Sequence, residues 1–276
     1  MKARVLTAVA LGPLVVFAIA RGGWLFNGLV LVMLSVSTIE WVQLTVKDSR
    51  WVSGSLALLL VWLMVVDRVM PQAEMLAPGL ALLLIATMGW AVIRFREEPD
   101  HAMVGFAFTL AGGLYLGWLG AHFVVLRALP GGGWWTGLTI PAVWLADTFA
   151  YLVGVMWGRT RLMPSVSPHK SVEGYLAGIV GGGLGTMGLA ILWRALGAEG
   201  AFKPLHGLAI GLLAGTIGPL GDLGISALKR HVGVKDSGRL LPGHGGLLDR
   251  LDALLVAVPV GYYYVIFVAL RGELGH

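Results

Sequence analysis

The stretch from Gly221 to Asp252 reads GDLGISALKRHVGVKDSGRLLPGHGGLLDRLD. It mixes acids, bases and turn glycines, although only 13% of the chain is charged and the sequence on both sides is apolar. Carboxylates, lysines and arginines held this close together are the groups that bind metal ions and phosphate. The stretch therefore predicts an apolar scaffold organised around one site for phosphate and metal.

The composition of the whole chain excludes a soluble globular protein. Apolar residues make up 57% of the 276 residues and the mean hydropathy is +0.81, whereas soluble domains contain about 45–50% apolar residues. No cysteine occurs, which excludes disulfides, thiolate metal sites and a cysteine nucleophile. The net charge of +5 favours contact with anionic lipid or an anionic substrate over nucleic acid. We therefore predict an all-α integral membrane protein.

Apolar runs bounded by charges, glycine or proline predict a polytopic bundle of about nine transmembrane helices. The predicted spans are Val5–Ala20, Trp24–Glu40, Trp51–Val66, Met75–Ile93, Met103–Leu126, Thr136–Trp157, Tyr175–Trp193, Leu205–Leu228 and Leu251–Leu270. The first span resembles a signal peptide, but no small-residue cleavage site follows Ala20, so we expect it to be retained.

The distribution of Lys and Arg over the loops predicts the orientation. With nine crossings, fourteen of these residues fall on the side of the N-terminus and six on the other side. An excess of basic residues marks the cytoplasmic side, so we expect the N-terminus and the charged stretch to face the cytoplasm. Residues 1–130 are then an N-terminal scaffold with lipid access or dimer contacts. Residues 131–276 form a catalytic half with cytoplasmic loops at 158–174 and 229–250.

The N-terminal half shows little chemistry. Glu40, at the end of the second span, and His122, in the fifth, are its polar exceptions, and we interpret both as packing or interfacial residues. The glycines between Gly178 and Gly185 in the seventh span favour close helix contact.

The first candidate functional residue of the C-terminal half is Asp147, near the middle of the sixth span. An uncompensated carboxylate there costs about 2.5–3.5 kcal/mol on insertion scales, so we expect a partner for it. Tyr151 follows one turn later on the same helical face. The next loop carries Ser167, Lys170 and Glu173 around a proline turn, which fits phosphate binding. A basic loop that only sets the topology is the alternative.

Two sets of carboxylates lie at the two ends of the charged stretch. Asp222, Ser226 and Lys229 share one face of the eighth span, and Asp249 and Asp252 open the ninth span on the same side. Such hard oxygen ligands suit Mg²⁺, which takes one or two carboxylates and completes its shell with water and phosphate oxygens. Zinc is not expected, because cysteine is absent and the histidines lack zinc-site spacing.

Cations and bare backbone lie between these carboxylates. The cations available for phosphate oxygens are Lys229, Arg230, Lys235 and Arg239. His244, Gly245 and Gly246 precede a helix start, where backbone amides can approach an anion. A solvated loop balanced by local ion pairs is the alternative, but such a loop needs neither two carboxylate sets nor glycines around a histidine.

Several motifs carry a resemblance to one family. They are SALKR at 226–230, KDSG at 235–238, LPGHGGLLDRLD at 241–252, the Asp147, Tyr151, Gly154 and Gly158 pattern, and SPHKSVEG at 167–174. This set resembles the signature of the phosphatidate cytidylyltransferase (CDP-diacylglycerol synthase) family. His169 and Ser171 depart from it, since the family commonly has Lys and Thr there. Glu40 and the basic start are the only earlier features that fit.

The resemblance implies that CTP and phosphatidic acid react to give CDP-diacylglycerol and pyrophosphate in phospholipid biosynthesis. It implies that Asp222 and Asp249 hold Mg²⁺, with K⁺ beside it, and that Lys229, Arg230 and Lys235 contact the triphosphate or the lipid phosphate. Ser226 and Asp236 would support them. Binding of substrate or ordering of the loop is implied for a further set of residues, namely Asp147, Tyr151, Ser167, Lys170, Glu173, Arg239, His244, Gly245, Gly246, Arg250 and Asp252. It also suggests a homodimer in the bacterial inner membrane among membrane lipids, with no nucleic acid partner.

Two other membrane functions fit less well. A CDP-alcohol phosphatidyltransferase needs Asp-Gly and Ala-Arg in a four-aspartate pattern, whereas this chain has Gly221-Asp222 and no Ala-Arg after it. A transporter with Asp147 as its ion site would show an inverted repeat and a midplane site, but the charges cluster in one half of the chain.

Overall fold

Long apolar helices make up most of the chain in the structure, a computed structural model that describes residues 2–46, 50–238 and 245–271. In chain order the elements are α1 (Lys2–Arg21), α2 (Gly23–Thr45), α3 (Arg50–Val69), α4 (Leu76–Phe95), α5 (Pro99–Leu114), α6 (Gly120–Ala128), α7 (Gly132–Trp157), β1 (Arg161–Met163), β2 (Ser167–Ser171), α8 (Val172–Ala195), α9 (Pro204–His231) and α10 (Leu248–Tyr264). A 3₁₀ turn (Pro71–Ala73) precedes α4, and π-helical segments follow α5 (Tyr115–Leu119) and α10 (Val265–Ala269).

Eight helical segments within the described residues are long and apolar enough to cross a membrane. They are Gly23–Thr45, Arg50–Val69, Leu76–Phe95, Pro99–Ala128, Gly132–Trp157, Val172–Ala195, Pro204–His231 and Leu248–Ala269. These correspond to the second to ninth predicted spans, which confirms an all-α polytopic membrane protein. The first predicted span falls in α1, whose fully described part, Gly12–Arg21, is apolar but too short for a crossing. That span stays a prediction.

The outer surface of these helices is apolar. On α4, Leu82 and Ile85 expose 67% and 69% of their surface. Such continuous apolar exposure is rare on soluble proteins. It matches helices that are surrounded by lipid, where the hydrocarbon tails cover the apolar side chains.

The chain divides into two compact units. Unit 1 comprises residues 1–125 and 231–250, and unit 2 comprises residues 126–230 and 251–276. The segment after α9, which includes Lys235, Asp236 and Asp249, is thus part of the N-terminal unit, whereas Asp222 belongs to unit 2.

Unit 1 is built on α2, α3 and α5. Leu34, Leu60 and Met64 are almost completely buried between these helices. The indole of Trp41 donates a hydrogen bond from Nε1 to the Phe108 carbonyl at 3.0 Å. Its ring fills the space beside Gly112, where a Cβ atom would collide with it. The end of α2, which carries Glu40, is therefore fixed against α5.

In unit 2, α7 and α8 approach each other at backbone distance. Gly178 and Gly182 on α8 lie against the backbone and side chain of Ala146 on α7. Small residues permit such contact between membrane helices. This confirms the packing interpretation of the glycines in the seventh span, and it places Asp147 next to the α7–α8 contact.

The second half of α9 meets α10 at Gly221. A Cβ atom on Gly221 would collide with the backbone carbonyl group of Asp252. Gly224, three residues later on the same helix, has open space around it. The α9 segment that carries Asp222 is therefore positioned by a glycine contact with α10.

We predict that Gly221→Ala destabilises the protein and that Gly224→Ala does not. The added methyl group at 221 forces α9 and α10 apart, and overpacking of this kind costs about 1–3 kcal/mol. The measurement is the apparent Tm of the purified protein in detergent. Equal Tm values for the two variants would contradict the contact.

Candidate active site

Asp222 on α9 is the centre of the charged cluster in unit 2. Its Oδ2 atom pairs with the Lys170 ammonium at 2.6 Å, and its Oδ1 atom accepts a hydrogen bond from the Ser226 hydroxyl at 3.1 Å. Both partners in the ion pair keep access to solvent, with 28% of the Lys170 side chain and 37% of the Asp222 side chain exposed. The carboxylate is thus oriented but not sealed off, as a ligand-binding group must be.

Asp147 belongs to the same cluster. The charges of Lys170 and Asp222 both act on its carboxylate. Asp147 is exposed, and the ion pair of Lys170 is with Asp222, so the charge of Lys170 acts on Asp147 without a direct bond being formed. Tyr151, one turn further along α7, exposes 70% of its surface.

The loop between α7 and α8 is an ordered antiparallel hairpin of β1 and β2. Arg161 is opposite Ser171 and Met163 is opposite Ser167, with an irregular step between the two pairs. The hairpin carries Lys170 to Asp222. It is also tied to α9, because Arg230 Nε donates to the Val166 carbonyl at 3.4 Å.

The start of α8 holds the other end of this hairpin. Ser171 caps the helix by accepting a hydrogen bond from the Gly174 amide at 3.1 Å, which is a preferred N-cap arrangement. The Glu173 carboxylate accepts from the amides of Arg159 and Thr160 at 3.1 Å. In this structure Glu173 therefore orders the loop. Ser167 is half-buried at the beginning of β2.

The second cluster lies in unit 1 at the start of α10. Asp249 Oδ2 accepts hydrogen bonds from the Ser237 amide at 2.9 Å and the Gly246 amide at 3.3 Å, and it lies 3.0 Å from the Ser237 hydroxyl oxygen. Gly245 adopts a positive φ of 79°, a backbone conformation that favours glycine. The Asp249 carboxylate is thus held by the segment that precedes its own helix.

Glu40 reaches this cluster from α2. Its Oε1 atom accepts from the Leu247 amide at 3.0 Å, and its Oε2 atom accepts from the Leu248 amide at 2.8 Å and the Ser237 hydroxyl at 3.1 Å. The amides at the start of α10, which the sequence suggested for an external anion, are occupied by carboxylates of the chain itself.

The remaining candidates occupy different surroundings. Arg230, Lys235, Asp236 and Arg250 are exposed, and Lys229 is half-buried. Asp252 is 8% exposed, and its Oδ1 atom accepts from the Ala253 amide at 2.7 Å. Arg239 and His244 lie outside the described residues, so their binding roles stay predictions.

The donor chemistry of these carboxylates fits Mg²⁺ bound together with a phosphate substrate. Within the described residues, no group of three His, Cys, Asp or Glu side chains could hold a metal ion by itself. Mg²⁺ needs only one or two protein carboxylates when substrate phosphates and water complete its shell. Asp222, with its neighbouring Ser226 hydroxyl, and Asp249 are carboxylates of the required kind.

Comparison with known proteins identifies the family. The sequence profile of the cytidylyltransferase family matches residues 2–268. The chain belongs to this family. Similar proteins named phosphatidate cytidylyltransferase occur in Bacillus subtilis strain 168, Thermotoga maritima and Synechocystis, at 34%, 31% and 32% identity. These alignments cover 95%, 99% and 95% of this chain, and 97%, 98% and 96% of the relatives.

Two residues of this cytidylyltransferase were not assigned to the site from the sequence. Glu40 was interpreted as a packing or interfacial residue, and Ser237 was noted only as part of the KDSG motif. The usable signal was that Glu40 is a lone acid at the end of an apolar span, because such a group must find donors within the protein. The fold decides which donors Glu40 finds. One of them, Ser237, is 197 residues away in the sequence.

We predict that Lys170→Met impairs this cytidylyltransferase without unfolding it. The substitution removes the cation that faces Asp147 and Asp222. The loss of one charged hydrogen bond corresponds to roughly a 10- to 100-fold decrease in kcat/KM for CTP. Tm should change little, because solvent-accessible ion pairs contribute little stability.

Lys203→Met is the matched control, since Lys203 is an exposed lysine of the same unit outside the cluster. Initial rates at varied CTP concentration decide the question. Equal kcat/KM values for the two variants would remove Lys170 from the site.

Proposed function

We propose that this protein is a phosphatidate cytidylyltransferase of phospholipid biosynthesis, which transfers the cytidylyl group of CTP to phosphatidic acid. The products are CDP-diacylglycerol and pyrophosphate. The observation that carries this proposal is the family match over residues 2–268, joined by relatives of the same name over nearly the whole chain. The clustering of Asp147, Lys170 and Asp222 from three separate segments supports it.

The reaction requires no nucleophile from the protein. A phosphate oxygen of phosphatidic acid attacks the α-phosphorus of CTP, and the bond to the β-phosphate breaks as pyrophosphate leaves. The protein must hold two anionic substrates together and neutralise charge on the phosphates. Cationic side chains therefore have the main role, and we assign Lys170, Lys229, Arg230 and Lys235 to the phosphate oxygens of CTP and lipid.

We assign Asp222 and Asp249 as Mg²⁺ ligands, with K⁺ as an additional ion. When bound, Mg²⁺ neutralises phosphate charge and orients the triphosphate. The hydroxyl of Ser226 keeps Asp222 oriented, and the amides of Ser237 and Gly246 do the same for Asp249. Asp147 is assigned to ordering Lys170 and the nucleotide.

The protein is a multi-pass membrane protein, and we propose the bacterial inner membrane as its location, with the N-terminus and the active site cytoplasmic. CTP is a cytoplasmic substrate, and the excess of Lys and Arg on that side agrees with this orientation. Acyl chains of phosphatidic acid would enter laterally between the apolar helices. A homodimer is the assembly that the resemblance to the family suggests.

The reaction is tested by pyrophosphate release from CTP and Mg²⁺ in detergent micelles containing phosphatidic acid. We expect release to require both CTP and phosphatidic acid and to stop on chelation of Mg²⁺ with EDTA. Diacylglycerol, which lacks the phosphate nucleophile, is the matched negative control. Release with an isoprenoid phosphate but not with phosphatidic acid would overturn the substrate assignment and retain the reaction class.

The metal ligands are tested by Asp222→Asn and Asp249→Asn. We expect each variant to lose at least about 100-fold in kcat, the scale of removing one electrostatic contact to the transition state. Folding should persist, because the amide oxygen of Asn still accepts the hydrogen bonds from Ser226 or from Ser237 and Gly246. Asp100→Asn, at an exposed acid of unit 1, is the control. Near-normal turnover in either test variant would remove that residue from the metal site.

A further inference from the structure

Glu40 is a buried acid on an apolar helix. The proposed reaction does not require it to contact a substrate. Glu40 is 5% exposed, and it lies on α2, far in sequence from every motif of the signature. Its carboxylate nevertheless accepts hydrogen bonds from the Leu247 amide, the Leu248 amide and the Ser237 hydroxyl. Leu247 and Leu248 precede Asp249 in the sequence, and Ser237 is hydrogen-bonded to Asp249.

We propose that Glu40 is a positioning residue for cytidylyl transfer: it anchors the start of α10 and the Ser237 segment, and so fixes the orientation of the Asp249 carboxylate. The inference rests on the proposed function for the role of Asp249. Glu40 acts through Ser237 and through the helix, and it need not touch substrate.

The Glu40 carboxylate lies at the start of α10. The first amides of a helix have no partner within the helix, and a negative charge placed there is stabilised by the helix dipole. Leu248 is the first residue of α10 and Leu247 precedes it. Glu40 satisfies both amides with one carboxylate from another helix. The amides at the start of α10 are therefore held by a side chain of α2.

Ser237 lies between Glu40 and Asp249. Its hydroxyl oxygen lies 3.1 Å from Glu40 Oε2 and 3.0 Å from Asp249 Oδ2. A hydroxyl carries one proton and can donate it to one of the two acceptors at a time. The Ser237 amide donates to Asp249 in either case. Ser237 therefore links the two carboxylates, and a displacement of Glu40 is transmitted to Asp249.

Gly238 and Gly246 pack against the Glu40 carboxylate. A Cβ atom on Gly238 or Gly246 would collide with the Glu40 carboxylate, and one on Gly246 would also collide with the Ser237 hydroxyl. The backbone at Gly238 and the backbone at Gly246 therefore both lie directly against the Glu40 carboxylate. These glycines provide room for a carboxylate of the chain itself.

The inference is tested with Glu40→Gln and Glu40→Asp against Asp67→Asn. Gln has nearly the same shape but only one acceptor oxygen, so its NH₂ group must face one of the α10 amides. Asp keeps the charge but is one methylene shorter. Asp67 is a matched control, because it is a buried acid of unit 1 whose Oδ1 atom accepts from Leu76, the first residue of α4, at 3.2 Å.

The first readout is amide hydrogen exchange of the metal-free protein in detergent, which needs no turnover. We expect Glu40→Gln to accelerate exchange at Leu247 or Leu248 and to leave Leu76 unchanged. Asp67→Asn should leave exchange at Leu247 and Leu248 unchanged, and its amide oxygen can still accept from Leu76. Unchanged exchange at the start of α10 in Glu40→Gln would overturn the anchoring contact.

The second readout separates kcat from the KM for CTP. Misplacement of a catalytic group by about 1 Å can cost up to about 100-fold in rate, so we expect kcat of Glu40→Gln to fall by roughly 10- to 100-fold with a smaller change in KM. Glu40→Asp should recover part of kcat, and Asp67→Asn should stay near the wild-type value. Equal kcat values for Glu40→Gln and Asp67→Asn, in a wild-type background that turns over CTP, would overturn the positioning role.

Two further outcomes separate the role of Glu40 from the proposed function. If Glu40→Gln does not accumulate in the membrane, Glu40→Asp and Ser237→Ala carry the same comparison, and wild-type kcat in both would contradict the inference. If the wild-type protein shows no CTP-dependent turnover, the proposed function fails. The exchange experiment then still decides whether Glu40 anchors α10.

Discussion

The hydrogen-bonded carboxylate of Glu40 connects the N-terminal scaffold to the segment that carries the second half of the signature. A buried carboxylate is costly unless donors surround it, and Glu40 has three of them. The donors are Ser237, Leu247 and Leu248. The same bonds that compensate Glu40 therefore tie these residues to α2.

The cluster in unit 2 meets the same constraint in another way. Asp222 pairs with the ammonium of Lys170 and receives the Ser226 hydroxyl, and the charge of Lys170 also acts on Asp147. Here the compensation comes from a cation on a hairpin and not from backbone amides. The difference is useful, because a partly exposed ion pair can rearrange when a charged substrate binds, whereas the sealed bonds of Glu40 keep their geometry. Glu40 thus stabilises the structure, whereas Asp147 and Asp222 remain accessible to a substrate.

Glycine residues allow close backbone contacts in both units. At Gly221 the α9 backbone touches α10, and at Gly238 and Gly246 the chain touches the Glu40 carboxylate. A side chain at any of these positions would move a helix or displace a charged group. The exposed apolar side chains of the helices suit a lipid substrate.

Much of the architecture was predictable from the sequence. Eight of the predicted spans are helices long enough for a crossing, because runs of about 20 apolar residues between charged or turn residues can hardly adopt another structure in a membrane. The motifs predicted the family, and the spacing of Asp222 and Ser226 predicted their shared helix face, since both are local properties of the chain.

Other features were decided only by the tertiary structure. The hairpin of β1 and β2 inside a predicted loop, the pairing of Lys170 with Asp222 across 52 positions of the sequence, and the use of Glu40 as an anchor for α10 depend on which distant segments meet. The apolar runs in the sequence predict only which segments lie in the membrane. They carry no information about which donor reaches which carboxylate, because that depends on how the helices pack.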